Sequence, residues 1–343
     1  MLGAALLLLA AGASALVFSP WGARKAKLYG LGLMKLAQGV PPDSICSGRP
    51  SPQPGSCSCK RVMFIRHGES VWNACFNPQS TEEALFRAPA SLVLALFREA
   101  RVFLDGDASL LDSPLSTRGQ LQAQELAHAL EHSTSIDRDL RNAALSASSS
   151  ACFVCSNLRR SAETLLLACR AARKSHSSVE VHTALQEASP NIDTVSLSNG
   201  SAGNEFEATA KPKLPACRKY ESCLNALGTN NTGNAPLYQP ASERVDAFAK
   251  WAMSRPESVV VTSGHSLWFR KLFQRLLAQP SSTSNELAQR ACKSKIRNGG
   301  VVAFNLVTDT TDATIAIDPS SIQEVHLGFA NVKEGEGSKK RSG

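Results

Sequence analysis

Two hydrophobic rhythms alternate along the middle of the chain. Short, nearly continuous apolar runs recur at Arg61–Arg66, Ala151–Ser156, Val179–His182, Ser258–Ser263 and Val301–Leu306, with a weaker one at Thr314–Ile317. Runs this short and this apolar predict strands buried on both faces. Between them, apolar positions return at helical spacing over about residues 81–103, 117–132, 158–173, 242–253 and 266–278. Alternating strands and helices predict an α/β fold: a three-layer sandwich with a mainly parallel central sheet flanked by helices.

The stretches that break these rhythms divide the chain. Residues 40–59, VPPDSICSGRPSPQPGSCSC, are dense in Pro, Ser and Gly and read as linker. The linker is taken as residues 30–59, and the folded domain as residues 60–330. Two inserts interrupt that domain. One, near 74–111, contains ASLVLALFREARVFL. Its spacing reads as an ordinary core helix, with a cap, a dimer face or a membrane contact as the other uses. The second, near 190–240, is rich in Asn, Ser, Gly and Pro and reads as an irregular insert able to serve as a lid. The polar residues 331–343 read as a disordered tail.

The first eighteen residues, MLGAALLLLAAGASALVF, carry no charged side chain. Ala13, Ser14 and Ala15 fit the small-residue cleavage site of a signal peptide. Arg24, Lys25 and Lys27, just beyond the run, instead fit an uncleaved anchor whose C-terminal side is cytoplasmic. Residues 1–29 are therefore read as a signal peptide or membrane anchor, with membrane contact through residues 1–20. The expected localisation is the secretory pathway, secreted or membrane-anchored. Two sequons, at Asn199 and Asn230, matter only on that route.

Charge and cysteines change this picture little. A net charge of +8 suits an anion-binding pocket. No Lys/Arg stripe with interleaved aromatics exists, so nucleic acid is not an expected partner. Of ten cysteines, Cys152 and Cys155 sit inside an apolar run and read as buried thiols. Cys217 and Cys223 flank a loop and would be bridged only in a lumenal domain. No His/Cys set has zinc spacing, so no metal is expected.

Chemistry concentrates at strand ends. Ligands bind beyond the carboxyl ends of strands in open α/β sheets. The first strand ends on Arg66 and His67, in RHGES. The strand VVVTS runs into Gly264, His265 and Ser266, and ACFVCS runs into Asn157, Leu158, Arg159 and Arg160. Two histidines and at least two arginines thus reach one edge. Neutral imidazole can attack phosphorus near pH 7. Guanidinium forks can offset the charge of the transferring phosphoryl.

Four ordered motifs resemble the histidine phosphatase superfamily, also called phosphoglycerate mutase-like. They are RHGES followed by Trp72 and Asn73; DSPLSTRGQLQA at 112–123; SNLRRSAET at 156–164; and SGHS at 263–266. Asn157 replaces the usual Pro of the third motif, and Ser161 its usual Ala. The resemblance implies a phosphoglycerate mutase-like fold in which His67 accepts the phosphoryl. Arg66, Arg160 and His265 would bind it, and Asn73 would contact substrate. Leu185-Gln186-Glu187 resembles the family's LxE segment, which makes Glu187 the candidate acid. Glu69 reads as a structural or rim residue, and the Asp112 stretch as architecture.

Ser266 after His265 implies the mutase-like branch rather than the acid-phosphatase branch, which carries Asp there. EASPNIDTVS, after Glu187, is unlike the extended segment of true mutases. The implied activity is a metal-independent, cofactor-free phosphomonoester phosphatase. Its substrate would be a phosphorylated small molecule or a phosphoprotein. A phosphoglycerate mutase-type phosphotransferase is the second reading, and an inactive binding module the third.

Overall fold

Strand β1, Cys57–Arg66, is the axis of the sheet. Its side chains alternate: Val62 and Phe64 enter one apolar cluster, Met63 and Ile65 the other. Both faces of β1 are therefore covered, which explains the unbroken apolar run. The computed structural model describes residues 19–40, 57–78, 80–146, 150–174, 178–198, 200, 215–225, 228–278, 286–309 and 314–330.

The remaining strands are β2 (Ala151–Ser156), β3 (Val179–His182), β4 (Leu224–Asn225), β5 (Val259–Gly264), β6 (Val301–Asp309), β7 (Ile315–Ile317) and β8 (Gln323–His326). The sheet order is β4-β3-β2-β5-β1-β6-β7, with β8 also on β6. From β4 to β1 every pairing is parallel, whereas β6 runs antiparallel to β1. This is the expected three-layer α/β sandwich. The register pairs Arg66 with Gly264, so β1 and β5 end together and deliver His67 and His265 side by side.

Helices α4 (Thr117–His132), α5 (Arg138–Leu145) and α6 (Arg159–Ala168) cover one face through Leu126, Leu140 and Leu165. Helices α7 (Ala241–Ser254), α8 (Ser266–Leu276) and α9 (Glu286–Lys293) cover the other through Phe248, Phe269 and Ala288. Residues 171–173 form a separate short turn after α6, so that helix is shorter than its spacing suggests.

Two expectations change. First, residues 20–29 are not anchor, and residues 30–38 are not linker. Pro20–Gln38 form one helix, α1, begun by Ser19, whose hydroxyl accepts from Gly22 N–H. Its Leu28 packs with Ala108, Leu111, Val195 and Leu197. Its Lys25 is fully buried and donates to the Val102 carbonyl. A buried, bonded lysine is a folding element, not a tether. The first eighteen residues, residues 41–56 of the linker and the 331–343 tail lie outside the described residues. Among the described residues no helix is long and apolar enough to cross a membrane.

Second, the insert near 74–111 is not ordinary core. Helix α2 (Val71–Phe76) leads to a π-helical turn, Glu83–Arg87, and then to α3, Ala88–Val102. Ala88, Ala95 and Glu99 are buried, but Phe86, Val93, Leu94 and Phe97 are exposed. Cys217 and Cys223 are free thiols.

Candidate active site

The RHGES segment is held on every side by backbone. His67 N–H donates to the Gly264 carbonyl at 3.1 Å, and Arg66 N–H to that of Gly300 at 2.9 Å. Gly68 N–H donates to the Thr164 hydroxyl at 3.0 Å. A Cβ on Gly68 would meet the Gly119 carbonyl oxygen at 2.4 Å, and one on Gly119 the Glu69 carbonyl oxygen at 2.0 Å. Two glycines, one from each of the first two motifs, let the start of α4 press against the RHGES loop. Ser116 caps α4 by accepting from Gly119 N–H at 3.1 Å.

The His67 ring has a defined tautomer. Its Nδ1 lies 2.6 Å from the Gly68 carbonyl oxygen, which can only accept, so Nδ1 carries the proton. The lone pair is then on Nε2, which accepts from Arg160 Nε at 3.3 Å. Burial, then the Arg160 and Arg66 cations, hold His67 well below the ordinary histidine pKa. The ring is neutral at pH 7.

His265 lies beside it, with ring centroids 5.0 Å apart. It is fully buried, yet neither ring nitrogen has a hydrogen-bond partner among the described residues. Burial and the neighbouring Arg160 push its pKa down as well. Arg66 donates through Nη1 to the Ile296 carbonyl, and its buried Nε is also unpartnered. Burial lowers Arg66 to about 10, which leaves it charged at pH 7.

Arg160 extends from the first turn of α6. That helix start is capped from outside: the Asp112 carboxylate accepts from Arg159 N–H at 2.9 Å and from Leu197 N–H at 3.0 Å. Asp112 adopts a left-handed backbone, φ 45°, which short polar side chains tolerate. Arg159 is buried against Asp107 and the Asp112 and Ala108 carbonyls. The two adjacent arginines therefore divide: Arg159 braces the loop, and Arg160 faces His67. Arg160 Nη2 pairs with Asp193 at 3.2 Å, and its Nη1 donates to the Asp193 carbonyl at 2.9 Å. Burial pushes the Asp193 carboxyl up to about 6.

Glu187 lines the same cleft as Arg66, His67 and Arg160. Its Oε1 accepts from Ala188 N–H at 2.7 Å and from Trp268 N–H, in the first turn of α8, at 3.1 Å. Asn73 is also on the cleft wall, but its Oδ1 accepts from Ser70 N–H in a capping box at the start of α2. Glu69 is structural: its buried carboxylate takes both prongs of Arg87 and the Ser116 hydroxyl.

The structure thus gathers Arg66, His67, Arg160 and Glu187 around one cleft of about 690 Å³, with His265 fully buried beside His67. Sequence reasoning missed Asp193, the brace of Arg160, which lies in an unpatterned loop. It also missed the basic rim of Arg118, Lys295 and Arg297. Lys-Ser-Lys-Ile-Arg at 293–297 was the available signal. The two departures from the third motif also have reasons. Ser161 donates to the Ser263 carbonyl at 2.7 Å, tying α6 to β5. Asn157 donates to the Gly233 carbonyl at 2.7 Å, fastening the 190–240 insert to the end of β2.

The histidine phosphatase superfamily (branch 1) profile matches residues 107–298, which hold Arg160, Glu187 and His265; Arg66 and His67 lie before that range. No curated protein matches the chain. Several solved structures do. A putative alpha-ribazole-5'-P phosphatase from Escherichia coli is 16% identical, with a TM-score of 0.36, over 78% of this chain and 97% of that one. A mycobacterial glucosyl-3-phosphoglycerate phosphatase is 16% identical, TM-score 0.37, over 78% and 98%. A phosphoglycerate mutase from Bacillus anthracis is 17% identical, TM-score 0.36, over 77% and 93%.

Proposed function

The chain belongs to the histidine phosphatase superfamily, and on that premise we propose that it is a metal-independent phosphomonoester phosphatase working through a phosphohistidine on His67. One observation carries the reading. Buried polar atoms without partners, Arg66 Nε and both nitrogens of His265, surround an imidazole whose Nε2 lone pair is engaged only by the Arg160 guanidinium. Unpaired buried polar groups are costly, so a cluster of them marks a place for a ligand rich in hydrogen-bond acceptors. A phosphoryl group is such a ligand.

In the first step Nε2 of His67 attacks phosphorus, the P–O ester bond breaks, and the proton stays on Nδ1, hydrogen-bonded to the Gly68 carbonyl. Protonated Glu187 gives its proton to the leaving oxygen. Arg66 and Arg160 hold the equatorial oxygens, where charge is greatest. Water then attacks the phosphohistidine as the Glu187 carboxylate takes its proton. The P–N bond breaks, and inorganic phosphate and neutral His67 result. The two guanidinium charges do the work a metal would otherwise do.

The second reading is phosphoglycerate-type mutase action. The rim cations Arg118, Lys295 and Arg297 favour a substrate with a second acidic group, which a phosphoglycerate has. The readings separate by experiment. The full chain is expected to release phosphate from an aryl phosphate in EDTA, and acid-quenched enzyme to carry acid-labile phosphate on His67. His67→Ala should lose at least about 10³-fold in turnover, since the covalent route is closed. Retained turnover in that variant overturns the assignment. Isomerisation of phosphoglycerate faster than its hydrolysis selects the mutase.

A further inference from the structure

The helix that runs from the π turn into α3 is amphipathic in the wrong sense for a helix facing water. Two of its charged side chains, Arg87 and Glu99, turn inward and are used. Arg87 forks onto Glu69 of the catalytic loop. Glu99 accepts from the backbone N–H groups of Ser109 and Leu110, with Lys25 at 4.0 Å. At 3.6 residues per turn, Val93, Leu94, Leu96 and Phe97 then share the outer side with Pro89, Ala90 and Ala100. Leu94 is 69% exposed and Phe97 64%, and Phe86, in the preceding turn, 73%. A monomer in water rarely leaves such a contiguous apolar face uncovered.

The chain itself indicates what covers it. Helix α1 lies along the C-terminal end of α3: Tyr29 stacks on Phe103, and the Ser19 hydroxyl donates to the Leu104 carbonyl at 3.4 Å. Ser19 follows directly on MLGAALLLLAAGASALVF, eighteen residues without a charge. Ser19, the residue after that run, therefore lies at the foot of the exposed helix. In sequence, an uncharged run near the length that spans a bilayer is joined to the chain next to an outward apolar helix. No carboxylate of α3 lies on this face; Arg101 lies on it, one turn beyond Phe97, and Arg98, also exposed, flanks it. Basic side chains on an apolar face suit anionic headgroups.

We propose that the outer face of α3, with the turn before it, is a second membrane contact that lies in the headgroup region of an anionic bilayer. It would hold the domain down on the surface beside the emerging N-terminal segment. This reading does not depend on the catalytic assignment.

The test uses the full chain and vesicles of phosphatidylcholine with roughly 30% phosphatidylserine. Both targeted side chains are exposed, so Val93→Asp/Phe97→Asp is expected to keep its melting temperature. It should partition into the vesicles at least about ten-fold more weakly than the wild type. A separate Phe97→Trp variant should gain a fluorescence component that brominated lipid quenches. Equal flotation of wild type and double variant, or no added quenching in Phe97→Trp, overturns the proposal. So does failure of the wild type to float. A lipid-free dimer that the double variant abolishes would assign the face to a second copy instead. Shielding of the Phe97→Trp signal from iodide in a lipid-free monomer would assign it to the chain's own N-terminal segment.

Discussion

Glu187 holds the start of α8 through Oε1 and faces the cleft, so its replacement must separate capping from proton donation. Glu187→Gln keeps an acceptor for Trp268 N–H and removes the acid. For an alkyl phosphate, whose leaving oxygen needs a proton, kcat is expected to fall about 10²- to 10⁴-fold. For a nitrophenyl phosphate, whose phenolate leaves unaided, the loss should be much smaller. A steady-state comparison of the two substrates reads this; equal losses would mean that Glu187 only positions α8. The histidines make a second test. Burial holds His265 well below the ordinary histidine pKa, so the native state declines a proton that the unfolded chain accepts near pH 6.5. Stability from this source is complete above about pH 6.5 and is lost as pH falls toward the native pKa. Urea unfolding between roughly pH 5 and 6 should therefore be steeper in pH for wild type than for His265→Asn, by about 1.4 kcal/mol per pH unit. Matching slopes would show that His265 is protonated in the native protein.

At the scale of elements, the site depends on close approach. Gly119 opens α4, and any Cβ there would overlap the Glu69 carbonyl oxygen, which the backbone cannot move aside. Gly119→Ala is expected to cost about 1–3 kcal/mol, as overpacking does, and to lower kcat/KM by displacing His67. Urea unfolding alongside turnover measures both; an unchanged kcat/KM would show that the loop tolerates the shift. In sequence this glycine was visible only as a motif position, because the carbonyl it avoids is distant along the chain. The parallel strands and the helices after them were legible, since burial on two faces or one writes a distinct period. Helix α1 was not, although its signals were present. Ser19-Pro20 is a helix start and Gly39 a helix stop. Three internal glycines and an adjoining apolar run masked them. One of those glycines, Gly32, has a purpose only the fold reveals: a Cβ there would touch Ile192 at 3.1 Å. Asp193, in the same loop as Ile192, was illegible for a similar reason, since its meaning comes from Arg160.

Across the whole molecule, the four motifs predicted which strand ends converge, because parallel register sets that convergence. They said nothing about what supports the converged groups from behind. That support passes through α1. Its Lys35 donates to the Thr194 hydroxyl at 3.0 Å, and Arg24 reaches the Leu197 carbonyl. The loop between these two anchors continues from Asp193, which fixes Arg160. A chain starting at Lys60 keeps every motif and loses this floor. Leu28 alone, fully packed with Val195 and Leu197, is worth about 1.5–3 kcal/mol of burial. Compared with a chain starting at Ser19, the Lys60 start should lose at least about 3 kcal/mol in urea unfolding, as the contacts of Trp21 and Tyr29 go with that of Leu28. Its kcat/KM should fall by about ten-fold or more, because an Arg160 released from Asp193 no longer meets the phosphoryl in a fixed geometry. The two effects can be told apart. Lys35→Met leaves the apolar packing in place and removes only the grip on Thr194, so it should raise KM while changing stability little. If the Lys60 start matched the Ser19 start in both measurements, α1 would be a passenger on the fold, and the bracing of Arg160 would have to lie wholly within the loop that carries Asp193.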